Sequence, residues 1–205
     1  MPAVVLGPGE LVHERPFTDP AHTSREAGLM EDALSELRKR AATWVGDDRR
    51  GVVLRERDDE GHRHLIVVPD TRALLEADGL TAVGFFGHPR DDVDHGILFE
   101  LEDELVAGME AYADAGLLTY YDVELPKSRY GNLVLFATPD IPAEWVADAV
   151  HRRAVEISPR HYYDVRLHKG RIAGRLLDGG GLTIERTKYF DFAGEEEWRA
   201  LRRFA

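Results

Sequence analysis

The chain has 205 residues, a net charge of −12 and no cysteine, which excludes disulfides, thiolate metal sites and a cysteine nucleophile. Its 43% hydrophobic content suffices for a substantial core, and no run approaches the roughly 18 apolar residues that read as a membrane span. The acidic balance argues against nucleic acid as a partner, and the start MPAVVLGPGE lacks the features of a secretory signal, so the expectation is a cytoplasmic protein with no membrane association.

Residues 1–25 are rich in Gly, Pro and His and predict an irregular arm. Met30–Val45 has the spacing of a helix, ended by Gly46. Gly51–Arg57 and His64–Val68 predict a hairpin turned by Asp58-Asp59-Glu60-Gly61. A short helix runs from Pro69-Asp70 to Leu75, closed by Gly79. From Leu80 the pattern is regular: strand Leu80–Gly87, helix Leu98–Ala115, strand Leu117–Leu125, turn Pro126–Gly131, strand Asn132–Ala137, helix Pro142–Ile157, strand Tyr162–His168 and strand Leu182–Phe190. Glu195–Phe204, acidic at its start and basic at its end, predicts a terminal helix.

Tyr-Tyr-Asp-Val occurs twice, at residues 120–123 and 162–165. Phe86-Gly87-His88-Pro89 and Glu104-Leu105-Val106-Ala107 precede the first copy. Phe136-Ala137-Thr138-Pro139 and Glu144-Trp145-Val146-Ala147 precede the second. These matches predict two related halves, the first with an insertion at Arg90–Glu100. The order from residue 80 is β-α-β-β-α-β, so the expected fold class is α+β, a ferredoxin-like antiparallel sheet with helices on one face. Residues 1–79 then form an N-terminal arm, helix and hairpin extension, and residues 80–205 the main domain.

In element order, residues 80–192 resemble the dimeric α+β-barrel superfamily, in which two such sheets pack face to face. The resemblance implies a homodimer through the open sheet face. It implies small-molecule chemistry of monooxygenase, isomerase or cyclase type, either cofactor-free or with haem. Flavin and nicotinamide have no motif in their favour, and the cofactor stays unknown.

Strand alternation places Tyr120 and Asp122, then Tyr162, Asp164, Arg166 and His168, on the side expected to face away from the helices. A histidine beside a carboxylate can act as a general base, and a tyrosine can donate to an oxyanion. These six residues are the candidate catalytic set, and a polar network pairing subunits is the competing role for them. His62 and His64 share a strand face beside Asp58, Asp59 and Glu60, but without a third convincing ligand they are taken as an exposed polar hairpin, and no metal is assigned. The acidic loop around Asp91, Asp92 and Asp94 is taken as solvated, and His151 as turned away from the core. The expected function is thus a small-molecule enzyme or ligand-binding protein, with the Arg90–Glu100 insertion at its pocket mouth. The alternative is a non-catalytic assembly or regulatory protein that uses the sheet face and N-terminal extension.

Overall fold

In the computed structural model, residues 3–125 and 129–204 are described, Arg129 by its backbone alone. Within them, nine strands join one sheet: β1 (Val4–Leu6), β2 (Arg50–Arg57), β3 (Arg63–Asp70), β4 (Leu80–Pro89), β5 (Leu117–Leu125), β6 (Arg129–Phe136), β7 (Tyr162–Ile172), β8 (Leu182–Asp191) and β9 (Trp198–Arg203). Their spatial order is β1-β9-β8-β7-β4-β6-β5-β3-β2. β1 pairs parallel with β9, and the other pairings are antiparallel. The helices are α1 (Pro20–Ala42), α2 (Thr71–Glu76), α3 (Gly96–Gly108), α4 (Ala143–Ala147) and α5 (Ala149–His161).

This architecture overturns the expected ferredoxin-like sheet with helices on one face. Strands β4 to β7 lie together at the centre, but the sheet continues beyond them on both sides, through the β3–β2 hairpin and through β8, β9 and β1. Helices cover both faces. α1 lays Met30, Leu34 and Leu37 against Ile66, Ala82, Tyr121, Leu133 and Leu135. The opposite face packs Leu65, Val67, Tyr120, Val134 and Phe136 against Met109, Leu105 and Trp145. The sheet face expected to await a second subunit is therefore filled by the chain's own first helix. Among the described residues no helix is long and apolar enough to cross a membrane.

α1 begins ten residues before the sequence pattern predicts. Pro20 occupies its first position and the Asp19 side chain accepts from Ala21 N, a favourable helix start. The stripe of Met30, Leu34, Leu37 and Ala41 continues upstream through Thr23 and Glu26, which are buried but polar, so apolar periodicity misses them. The terminal segment is strand β9 instead of a helix. Its Trp198, Ala200 and Arg202 alternate toward the α1 face, and Arg202 is fully buried. The helix predicted over Pro142–Ile157 breaks at Asp148, whose carboxylate accepts from His151 N at 2.7 Å and from the Tyr112 hydroxyl at 2.6 Å. His151 correspondingly turns against Trp145, rings 5.3 Å apart, instead of away from the core. The turn expected at Pro126–Gly131 falls partly outside the described residues.

Candidate functional site

The six residues proposed from sequence do not form one site. They divide between the two faces of the sheet. His168 and Asp164 point toward α1 with Arg166, in register with Gly84, His88 and Phe86 of β4. Tyr162 does not join them. A register shift opposite His88 and Pro89 leaves Tyr163 as an extra residue, so Tyr162 falls on the α3 face and packs edge-on against Phe85 at 5.4 Å. A single bulge thus defeats strict alternation. Tyr120 and Asp122 also lie on the α3 face, and the two aspartates of the repeated tetrapeptide look in opposite directions.

On the α1 face the polar residues form a buried network, joined from its exposed end by His88, whose Nδ1 is 3.2 Å from Asp164 Oδ2. His168, fully buried, meets Thr187 Oγ1 through Nδ1 and Glu26 Oε2 through Nε2, both at 2.8 Å. Arg166 Nη2 donates to Glu26 at 2.7 Å, and its Nη1 donates to Asp164 at 2.5 Å. Burial pushes the Glu26 carboxyl up, but the hydrogen bonds from His168 and Arg166 outweigh it and hold it below the ordinary range. The histidine–carboxylate pair foreseen here exists, yet the carboxylate is Glu26 of α1, not Asp164. Every polar atom of the His168 ring is engaged inside the protein, which gives the network the character of a polar core.

On the α3 face, Arg63 donates to Glu102 at 2.6 Å and to Asp122 at 2.7 Å. Burial, then the charge of Glu102, raises Asp122 to about 8 despite Arg63. Burial and the same carboxylates raise Tyr120 and Tyr162.

A larger groove lies elsewhere among the described residues. A groove of about 380 Å³ runs between α1 and the β2–β3 hairpin, with Leu29, Ala33, Val123 and Leu125 along its apolar floor. Its polar lining is acidic: Asp32, Glu36, Glu56, Asp58 and Asp59 stand against Arg40 and Arg57, and Arg40 is bridged to Glu36 and Glu56 at 2.9 and 2.8 Å. At one end three side chains form a chain: Asp58 Oδ2 is 3.4 Å from His64 Nε2, and His64 Nδ1 is 2.7 Å from the Tyr121 hydroxyl. Desolvation opposes ionisation of Asp58, but hydrogen bonds from His62 N and from the two imidazoles hold its carboxyl down at about 2. Burial, then the charge of Glu36, raises the Tyr121 phenol to about 12. The insertion at Arg90–Glu100 is not at this mouth. Arg90 donates to the Phe192 and Pro159 carbonyls, and the His95 ring lies tilted beside His161, 5.4 Å away.

His64 was visible in the sequence as part of an exposed hairpin. Its partner Tyr121 belongs to the first repeated tetrapeptide, on the side assigned to core packing. Only the β3–β5 pairing, with Ile66 opposite Tyr121 and His64 opposite Val123, brings the two together. Among the described residues no three His, Asp or Glu side chains converge on a point as metal ligands. Three histidines are already engaged within the protein: His168 is sealed by Thr187 and Glu26, His151 lies against Trp145, and His64 is held between Tyr121 and Asp58 beside an acidic groove. No protein-family model, curated protein or solved structure matches the chain.

Proposed function

We propose that the protein binds a small organic molecule in the groove between α1 and the hairpin, and that Asp58, His64 and Tyr121 provide acid–base chemistry on it. One observation carries this reading: a groove of about 380 Å³, within the size range of small-molecule sites, ends on a carboxylate–imidazole–phenol chain. The five carboxylates against two guanidinium groups favour a ligand with a protonated amine, its apolar body lying on Leu29 and Ala33.

The direction of the His64–Tyr121 hydrogen bond depends on the proton count. With neutral imidazole, the protonated phenol donates to Nδ1 and the Nε2 proton faces Asp58. When His64 gains a proton, Nδ1–H donates to the phenol oxygen and Nε2–H to ionised Asp58. The phenol hydrogen is then free to turn into the groove, toward an oxygen of the ligand that gains negative charge. Tyr121 would give that proton and recover it from His64, with Asp58 stabilising the imidazolium.

Ligand-observed NMR with fragments carrying amines, carboxylic acids or neutral amides tests this reading. Amines are expected among the hits, and their signals should be lost with Asp58→Asn and His64→Gln while the thermal melt stays cooperative. Hits confined to carboxylic acids, or amine hits indifferent to both substitutions, would rule it out.

A further inference from the structure

The α3 face of the sheet is covered over β4, β5 and β6 and left open over β8 and β9. On this open quarter the strand register assembles cations that are scattered in the sequence. Lys169 of β7 stands opposite Arg186 of β8, and Arg186 opposite Arg203 of β9, one cross-strand row of three positive charges. The next row is Leu167, Lys188 and Leu201, and the one after is Val165, Phe190 and Arg199. The grid repeats at about 4.8 Å across strands and about 7 Å along them. Lys188, Arg199 and Arg203 are exposed, Arg186, Leu167, Phe190 and Leu201 are half-buried, and Lys169 and Val165 are buried at the β7 margin.

Like charges directly opposite one another destabilise a sheet, and little inside the protein offsets them here. Lys169 reaches Asp140 at 2.9 Å, and Arg199 reaches Glu197 at 2.7 Å. Arg186, Lys188 and Arg203 make no side-chain hydrogen bond or ion pair among the described residues. Partial desolvation of its stem side by neighbouring strands, then the charges of Arg186, Arg199 and Lys169, lowers the ammonium of Lys188 although the side chain reaches solvent. A basic face on a chain of net charge −12 is a local feature that the average charge conceals.

We propose that this open face of β8 and β9, with the adjoining Leu167 of β7, docks an acidic, amphipathic polypeptide segment of a partner protein. The carboxylates of such a segment would meet Arg186, Lys188 and Arg203, and its aliphatic side chains would lie on Leu167, Leu201 and Phe190. Two observations favour a polypeptide over single-stranded nucleic acid. The Phe190 ring is stacked on Phe192 (22°, 6.3 Å) and lies under the Arg199 guanidinium at 5.8 Å, so the ring is engaged within the protein instead of open for a base to stack on. The remaining surface is net acidic and repels a polyanion longer than the patch. The face is on the opposite side of the sheet from the α1 groove and at the other end of it, so it does not depend on the ligand proposed there.

Fluorescence anisotropy of the full chain with a fluorescein-labelled peptide of alternating glutamate and leucine pairs tests the proposal. The peptide is expected to bind, to weaken at least about tenfold between about 0.05 and 0.5 M salt, and to lose binding with Arg186→Gln/Lys188→Gln/Arg203→Gln. Arg186→Glu/Lys188→Glu should do the same, and retained melting temperatures in either variant separate lost docking from lost folding. The proposal is overturned by absence of peptide binding, by binding unchanged in both variants, or by a labelled oligouridylate that binds more tightly than the peptide. Self-association abolished by the same variants would assign the face to a second copy of the chain and overturn it equally.

Discussion

Glu26 is the residue on which the α1 face turns. It takes the Arg166 guanidinium on one side and His168 on the other, all three nearly excluded from solvent. Removing one member of a buried ion pair strands the other charge. Glu26→Ala is expected to lower stability by about 3–5 kcal/mol in urea titration, and Asp164→Ala, which leaves Arg166 its Glu26 partner, by about 1–3 kcal/mol. Equal losses in the two variants would mean that Glu26 has no privileged place in the network. Asp122 acts in the opposite sense. Its carboxyl is raised from 3.8 to about 8 in the folded chain. Between those values the native state keeps a proton that the unfolded state has lost, so stability falls as pH rises, by up to about 1.4 kcal/mol per pH unit for one group. Asp122→Asn, neutral at every pH, should change little near pH 5 and flatten the decline of the urea midpoint toward pH 8. An unaltered slope would show that Asp122 ionises as an ordinary carboxyl.

At the scale of elements, bulges decide which side chains meet. The register shift near His88 sends Tyr162 to one face and Asp164 to the other, and a second shift between Lys169 and Gly170 adjusts β7 against β8 just beyond His168 and Thr187. Gly170 permits that close approach, because a Cβ there would press on the Thr183 carbonyl oxygen of the paired strand. Backbone in a strand pair yields less readily than a side-chain tip, so Gly170→Ala is expected to cost about 2 kcal/mol. Gly108→Ala, where a Cβ would meet nothing within 4 Å, is the control and should be neutral or slightly stabilising. A Gly170→Ala chain as stable as the wild type in urea would show that β7 and β8 part at no cost.

Across the whole molecule, the N-terminal arm is tied to the C-terminal strand through one buried guanidinium. Arg202 donates to the Gly7 carbonyl at 3.1 Å, to the Glu10 carbonyl, and to the Tyr189 hydroxyl at 2.5 Å, while β1 pairs with β9. Arg202→Ala is expected to lower stability by about 3 kcal/mol and to speed amide exchange in Val4–Leu6 selectively. Uniform exchange acceleration would place Arg202 in the global core instead of in a latch for the arm. The same scale separates what local pattern carries from what it cannot. The order of strands and helices from Leu80 to Phe190 was legible, because alternation of two and spacing of three to four are written in neighbouring residues. The hairpin turn at Asp58–Gly61 was legible for the same reason. Helix-like charge order at Glu195–Phe204 misled, because a buried Arg202 satisfied by distant carbonyls looks like a solvated one in sequence. Thr23 and Glu26 hid the first half of α1, since their burial depends on Tyr189, Arg166 and His168, more than a hundred residues away. By itself, then, the sequence determined the local elements between Gly51 and Phe190 and the supply of titratable groups. Tertiary structure alone decided that α1 fills the second sheet face, that His64 meets Tyr121 at a groove and that four scattered cations share one surface. Each of these rests on strand register and long-range packing, and neither has a period that a linear chain can display.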